Sequence, residues 1–129
     1  MILILALAAG SPVAAGQGSE QKVEFAVEIQ PLFAEHCVKC HGPEKQKGGL
    51  RLDAKDLAMR GGDEGKVIEP GRSDDSRLVH FVEGRDPEKV MPAKGGRLTP
   101  GQIAVVRRWI DEGAEWPDDG GVARVRSEH

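Results

Sequence analysis

The sequence predicts a single small domain of the all-α class, and three observations lead to this expectation. The chain has 129 residues, which suffices for one domain with a modest core but hardly for two. Apolar residues recur at helical spacing in several segments, and helix start and stop signals bound these segments. No segment shows a convincing strand pattern. We therefore expect several short helices joined by glycine-rich and proline-rich loops.

The first helix is predicted from an apolar stripe at helical spacing, formed by Phe25, Ile29, Leu32, Phe33 and His36. It runs directly into Cys37. Pro31 lies inside this pattern and lacks a backbone N–H. The helix therefore either begins near Pro31, where a missing amide is harmless, or starts at Phe25 and bends.

Two short helices are expected in the middle of the chain. Asp53 is placed to cap a helix that runs through Arg60 and ends at Gly61-Gly62. Ser73 begins the next helix, with the acidic pair Asp74-Asp75 providing favourable charge at its N-terminus. That helix has an apolar side and ends at Gly84.

The last helix has the clearest start signal in the chain. Thr99, Pro100 and Gln102 combine an N-cap residue, a proline at the first helical position and the partner residue of a capping box. An apolar stripe follows, made of Ile103, Val106, Ile110 and Ala114. Residues 85–98 before this helix are predicted to be a loop.

The ends of the chain are predicted to lie outside the domain. Residues 1–15 carry no charge and combine an apolar run with small residues, which is typical of an export signal, although no basic residue precedes the run. Residues 16–22 form a polar leader, residues 23–117 the domain, and residues 118–129 a flexible tail. We expect export to the periplasm or the outer face of the cytoplasmic membrane. No other apolar stretch reaches the roughly 20 residues of a membrane span.

Composition limits the function. The net charge of −3 and the absence of a concentrated basic surface give no reason to expect nucleic-acid binding. Three Phe, two Trp and no Tyr are few aromatic residues for a core of this size. A large apolar cofactor at the centre would relieve that shortage.

The only two cysteines of the chain occur in the stretch Cys37-Val38-Lys39-Cys40-His41. This C-x-x-C-H pattern is typical of covalent c-type haem attachment. Thiols at positions i and i+3 of one turn can reach the two vinyl groups on one edge of a porphyrin, and the next imidazole lies under the iron. Gly42-Pro43 then ends the turn. We therefore predict one covalent haem c per chain, with Cys37 and Cys40 as attachment sites and His41 as an iron ligand.

Other interpretations of the motif are weaker. A thioredoxin-like redox pair needs a βαβ setting, which this sequence lacks. A zinc site needs four ligands, and the cysteines would have to combine with one or two of the chain's histidines, which are His36, His41, His80 and His129. Adjacent Cys40 and His41 are poorly placed for one tetrahedral ion. A structural disulfide would close an unusually tight loop.

The sixth iron ligand has four candidates: Met59, Met91, His36 and His80. A thioether ligand raises the reduction potential and suits electron transfer. Met91 lies 50 residues beyond His41, far enough to reach the opposite haem face, and Pro92 stiffens its loop. Met59 is more simply a core residue. We favour Met91, with His80 or an open site as alternatives.

Three segments together resemble a known family. They are EIQPLFAEHCVKCHGPEKQKGGLRLD, GGDEGKVIEPGRSDDSRLV and VMPAKGGRLTPGQIAVVRRWIDEGAEWP, and they span about residues 24–117. This combination is similar to the planctomycete-type cytochrome c domain of the class I mono-haem cytochromes. The resemblance implies three to five helices wrapped around one haem, with the first and last helices crossing. It also implies thioether links at Cys37 and Cys40, with His41 and Met91 as proximal and distal ligands.

We therefore expect an electron carrier rather than an enzyme. The segment from Cys37 to Arg60 carries an excess of three positive charges, and Lys39, Lys45 and Lys47 lie beside the attachment motif. These lysines suggest docking to acidic redox protein partners. One alternative is a haem module of a larger redox enzyme or sensor, and another is a zinc-stabilised interaction domain.

Overall fold

The structure is a computed structural model that describes residues 22–93 and 96–118 of the chain. The predicted export signal lies outside these residues, as do the leader up to residue 21 and the predicted tail beyond Asp118.

The first helix α1 spans Gln30–His36 and follows a single π-helical turn at Phe25–Ile29. The backbone N–H of Gln30 donates to the carbonyl of Phe25, which closes the wide turn just before Pro31. Pro31 then occupies the first turn of α1, where its missing N–H leaves no bond unmade. The second of the two predicted arrangements is therefore the observed one: the helical segment starts at Phe25, and at Gln30 it changes from a π-helical turn to an α-helix.

Helix α2 spans Lys55–Arg60 and ends at Gly61, as predicted. Gly61 has a φ of 87°, and a Cβ atom there would lie 2.2 Å from a backbone oxygen, so only glycine fits. The prediction that Asp53 caps this helix is wrong. Its carboxylate instead accepts a hydrogen bond of 2.9 Å from Nε of Arg51, and Ala54 precedes the helix without a side-chain cap.

Helix α3 spans Arg77–Glu83, so its predicted start at Ser73 is one turn too early. Ser73–Asp75 forms only a separate 3-10 turn. The N–H of Ser73 donates to Asp111 at 2.8 Å and its hydroxyl to the same carboxylate at 2.9 Å, so this turn is tied to the last helix instead of extending α3. The end of the helix at Gly84, in the left-handed conformation, is confirmed.

Helix α4 spans Pro100–Asp111 and has the predicted capping box. Gln102 N–H donates to Oγ1 of Thr99 at 3.1 Å, and Thr99 N–H donates to Oε1 of Gln102 at 2.9 Å. The described part of the preceding segment is irregular apart from one 3-10 turn at Pro87–Lys89, which agrees with the predicted loop.

The first and last helical segments meet in a cluster of four aromatic rings, here called the aromatic cluster: Phe25, Phe33, Trp109 and Trp116. Phe25 stacks on Trp116 with ring centroids 4.3 Å apart, and Phe33 meets Trp109 edge to face at 5.8 Å. The indole N–H of Trp109 donates to the carbonyl of Glu115 at 2.7 Å. The four rings therefore pack against one another, and the indole N–H of Trp109 has its partner within the chain.

The described residues contain four α-helices and no β-strand, only two isolated bridges. The all-α prediction is therefore confirmed. In residues 22–93 and 96–118, no helix has the length and apolar character needed to cross a lipid bilayer.

Candidate functional site

The cysteine motif forms one turn at the end of α1. The N–H of Cys37 donates to the carbonyl of Phe33 at 2.8 Å, and the N–H of His41 donates to the carbonyl of Cys37 at 2.9 Å. Cys40 also donates to the Cys37 carbonyl, at 3.2 Å. The motif thus continues the winding of α1, and this brings both thiols and the imidazole onto one short turn.

The loop after the motif holds this turn from the other side. Lys47 N–H donates to the carbonyl of Cys40 at 2.9 Å, and Leu52 N–H donates to the carbonyl of His41 at 2.7 Å. Gly42 packs so closely that a Cβ atom would lie 2.4 Å from the carbonyl oxygen of Val38. Backbone groups on both sides therefore fix the conformation of the motif.

Beside the motif lies a cavity of about 420 Å³, which falls in the usual size range of ligand sites. Cys37, Cys40, His41 and Met91 all line it. The apolar part of its wall is formed by Leu50, Leu52, Leu78, Phe81, Val82, Pro92 and Ala93. The structure therefore brings the four predicted site residues together in one predominantly apolar cavity.

Two imidazole nitrogens at this cavity are buried without a hydrogen-bond partner: Nδ1 of His41 and Nε2 of His36. Buried polar atoms in native proteins are nearly always paired, so these orphaned atoms indicate that the site is built around a further group. Burial lowers the pKa of His41 below its ordinary value, and backbone groups at Leu50 and Lys47 offset part of this fall. The imidazole is therefore neutral at neutral pH, which is the form that ligates iron.

The two cysteines are free thiols. Burial raises the pKa of Cys37 to about 12, and the neighbouring Cys40 adds to the rise. A nucleophilic or redox-active cysteine needs the opposite shift, towards a stable thiolate. The environment of Cys37 therefore argues against the thioredoxin-like interpretation. A protonated, buried thiol beside an apolar cavity fits covalent attachment of a large apolar group.

The four candidates for the sixth ligand lie in different places. Met91 and His36 line the cavity. Met59 lines a separate, open groove near Trp116. His80 lies outside the cavity lining, and its Nε2 is 2.6 Å from the backbone oxygen of Asp74. The geometry therefore favours Met91 over Met59 and His80.

His36, another of the four ligand candidates, also lines the cavity. It is the last residue of α1, and its side chain is 14% exposed. Its Nε2 lies 3.9 Å from a carboxylate oxygen of Glu35, too far for a hydrogen bond. It remains a second imidazole at the cavity wall.

Three exposed lysines, Lys39, Lys45 and Lys47, also line the cavity, and we call them the rim lysines. None of them has an ion-pair partner within the described part of the chain, whereas Lys22, Lys55 and Lys89 each lie 4.0 Å from a carboxylate oxygen. The lining contains one acidic residue, Glu35, against the three rim lysines, so positive charge predominates at the edge of the cavity.

The zinc alternative gains no support from the geometry. Among residues 22–93 and 96–118, no group of three or more His, Cys, Asp and Glu side chains is arranged to hold a metal ion. A tetrahedral zinc site made of protein ligands alone needs four.

Sequence reasoning missed the apolar wall of the cavity, particularly Leu50, Leu52 and Phe81. Leu50 and Leu52 lie in an irregular segment, where no periodicity indicates which side chains are buried. Phe81 falls outside the main apolar stripe of α3. Its only signal was that it is one of three phenylalanines in the chain.

The comparison with known families gives a match at residues 37–95, to the family described as planctomycete cytochrome C. The matched span begins at the first cysteine and includes all four predicted site residues. It is narrower than the resemblance over residues 24–117, which also includes α1 and α4. No curated protein and no solved structure gives a significant match. A cytochrome c domain implies haem binding and electron transfer. Residues 37–95 of the chain, a little under half of its length, are therefore similar to the planctomycete cytochrome C family.

Proposed function

We propose that this protein is a mono-haem c-type cytochrome that carries single electrons between redox partners outside the cytoplasm. The observation that supports this most strongly is the shared cavity: two thiols of one turn, a neutral imidazole and a methionine thioether all line it. These are the groups that covalent haem attachment and six-coordinate iron require.

The residues divide the work as follows. The thiols of Cys37 and Cys40 would hold haem covalently, and His41 would ligate its iron. Met91 would supply a second ligand, and its soft thioether would raise the reduction potential. When bound, haem supplies an iron that alternates between the ferrous and ferric states.

The apolar wall has a separate role. Leu52 and Val82 are 2% and 3% exposed, and together with Leu78 they exclude water from the cavity. A low-polarity shell disfavours the extra positive charge of the ferric state and so contributes to a high potential. We propose a carrier rather than an enzyme because the match to a cytochrome c family suggests electron transfer.

The test is to produce the protein in a host that matures c-type cytochromes. We expect a Soret band, a mass equal to the processed polypeptide plus one haem, and a weak charge-transfer band near the red end of the oxidised spectrum. In Met91→Ala that band disappears while haem remains attached; the matched control Met59→Ala keeps it. Colourless protein, or a mass without haem, would refute the proposal. Carbon monoxide binding by reduced wild-type protein would instead indicate an open sixth site.

We propose that an acidic redox partner docks on the rim lysines. Three positive charges at the edge of the cavity attract an anionic surface to the place where an electron would cross the shortest distance.

The test compares two oxidants of opposite charge. A triple Lys→Gln variant at Lys39, Lys45 and Lys47 should be oxidised more slowly by hexacyanoferrate(III), with a weaker dependence on salt, but not more slowly by a cationic cobalt(III) complex. The control triple, at Lys22, Lys55 and Lys66, should leave both rates unchanged. Equal effects of the two triples would contradict this docking surface.

The proposed location outside the cytoplasm depends on residues 1–15. Covalent haem attachment of this type accompanies export, and the predicted signal would supply the route. The mass and N-terminal residue of the secreted protein test this directly, because we expect a chain that has lost the apolar run. A full-length chain in the cytoplasm would contradict it.

A further inference from the structure

The end of helix α3 holds the segment that carries Met91. The last carbonyls of a helix have no partner within the helix. Here the carbonyl of Phe81 accepts hydrogen bonds from the N–H of Gly84, at 3.1 Å, and from the N–H of Met91, at 3.0 Å. The backbone of Met91 is therefore fixed to the last turn of α3 by a helix-capping interaction.

The same phenylalanine lines the cavity that Met91 and Pro92 also line. Phe81 is half-buried and packs against the edge of the core. It belongs to none of the ring contacts of the aromatic cluster. The ring of Phe81 thus belongs to the cavity wall and not to the aromatic cluster.

An arginine supports this ring from the outside. Cζ of Arg77 lies 5.4 Å from the ring centroid of Phe81, within the range of a cation–π contact. The guanidinium is itself held by Glu64, through Nη2 to Oε1 at 2.7 Å and through Nη1 to the backbone oxygen at 3.0 Å. Glu64, Arg77 and Phe81 therefore form a continuous series of contacts that ends at the cavity.

We propose that Phe81 is a positioning residue for Met91: its carbonyl fixes the backbone of Met91, and its ring, held by Arg77, keeps the thioether in place and shields it from competing ligands. This inference rests on the proposed role of Met91 as the distal ligand. It assigns to Glu64 and Arg77 a function that the haem motif does not reveal, namely to hold the ring at the distal side of the site.

The test measures imidazole binding to the ferric, haem-loaded protein and the intensity of the charge-transfer band. Phe81→Ala removes the ring and should bind imidazole about tenfold more tightly, with a weaker band, because the thioether is displaced more easily. Phe81→Leu keeps part of the apolar contact and should give a smaller change. Arg77→Gln should increase imidazole affinity about twofold.

Two controls separate positioning from general stability. Val79→Ala removes a fully buried side chain on the same helix that does not line the cavity, so it should lower the unfolding temperature but leave imidazole affinity unchanged. Arg108 lies on α4, does not line the cavity, and donates a hydrogen bond to Glu112. Arg108→Gln should therefore change neither the imidazole affinity nor the charge-transfer band.

The proposal is wrong if the Phe81 variants and wild type bind imidazole equally and keep equal bands, or if Val79→Ala matches Phe81→Ala in both readouts. If Phe81→Ala does not fold, the same two measurements on Phe81→Leu and Arg77→Gln test the proposal, and wild-type imidazole affinity and band intensity in both would contradict it. A wild-type protein without haem, or a Met91→Ala variant with an unchanged band, would instead refute the proposed ligation.

Discussion

Where the first and last helices meet, four aromatic rings fill the core, whereas beside the Cys37–His41 turn the core residues face a cavity of about 420 Å³. In the aromatic cluster, Trp109 is 1% exposed and its indole N–H has a partner. At the cavity, two imidazole nitrogens are buried without one. One half of the core is therefore filled by the chain's own side chains, whereas the other half borders a cavity.

This comparison explains how so few aromatic residues suffice. All but one of the five aromatic side chains are concentrated in the aromatic cluster, and Phe81 alone reaches the cavity wall. The half of the core that lacks large rings is the half where a porphyrin would supply the apolar surface.

The largest expected effect comes from removing the attachment sites. With both Cys37 and Cys40 replaced by serine, we expect complete loss of covalently bound haem, because no other thiol exists in the chain. Mass spectrometry and the Soret band after acid extraction measure this. The two single variants serve as controls and should each retain one link. Covalently bound haem in the double variant would show that Cys37 and Cys40 are not the attachment sites.

The next effect lies in the aromatic cluster. Trp109→Ala should lower the free energy of unfolding by about 4 kcal/mol, because it removes a fully buried ring that contacts three others. Denaturant unfolding of haem-loaded and haem-free protein measures it. We expect a similar loss in both forms. A loss confined to the loaded form would mean that the cluster is not independent of the cavity.

A cavity-wall residue should behave differently. Leu52→Ala should cost about 2 kcal/mol in the loaded protein and distinctly less in the haem-free protein, because its side chain faces the cavity. The same two unfolding curves measure this. Equal costs in the two forms would remove the distinction between the two halves of the core.

Loss of the α4 cap should have a smaller effect. Thr99→Ala removes the hydroxyl that accepts from Gln102 N–H and should cost about 1 kcal/mol. The helix carries Trp109, so we expect the same cost with and without haem. Thr99→Ser, which keeps the hydroxyl, is the matched control and should recover most of the stability. A Thr99→Ser variant as unstable as Thr99→Ala would contradict the capping role.

The smallest effect concerns pH. The hydrogen bond from Arg51 lowers the pKa of Asp53 below its ordinary value of 3.8. Because the pKa is lowered on folding, the pair stabilises the folded state fully at pH values above 3.8. This stabilisation is lost as the pH falls through the lower pKa of the folded state. Because the pair is exposed to solvent, we expect its contribution to stability to be small. The stability of Asp53→Asn should therefore differ from that of wild type at neutral pH, and the difference should shrink as the pH falls below 3.8.

Much of the local structure could be predicted from the sequence. The capping box at Thr99 and the helix ends at Gly61 and Gly84 were correct because each depends on residues close in the chain. The predicted start at Ser73 and the cap at Asp53 were wrong because distant or competing partners took these side chains. Asp111 binds Ser73 from another helix, and Arg51 binds Asp53.

The sequence by itself determined the chemistry of the Cys37–His41 turn, because two thiols and an imidazole within five residues lie close together wherever that turn is placed. Only the tertiary structure decided which distant residues face that turn. It brought Met91 into the cavity through the end of α3 and placed His80 outside the lining. It also assembled the apolar wall from segments up to 43 positions apart, from Leu50 to Ala93. The physical reason is that spacing fixes local geometry, whereas packing and hydrogen bonds between segments fix which side chains share a cavity.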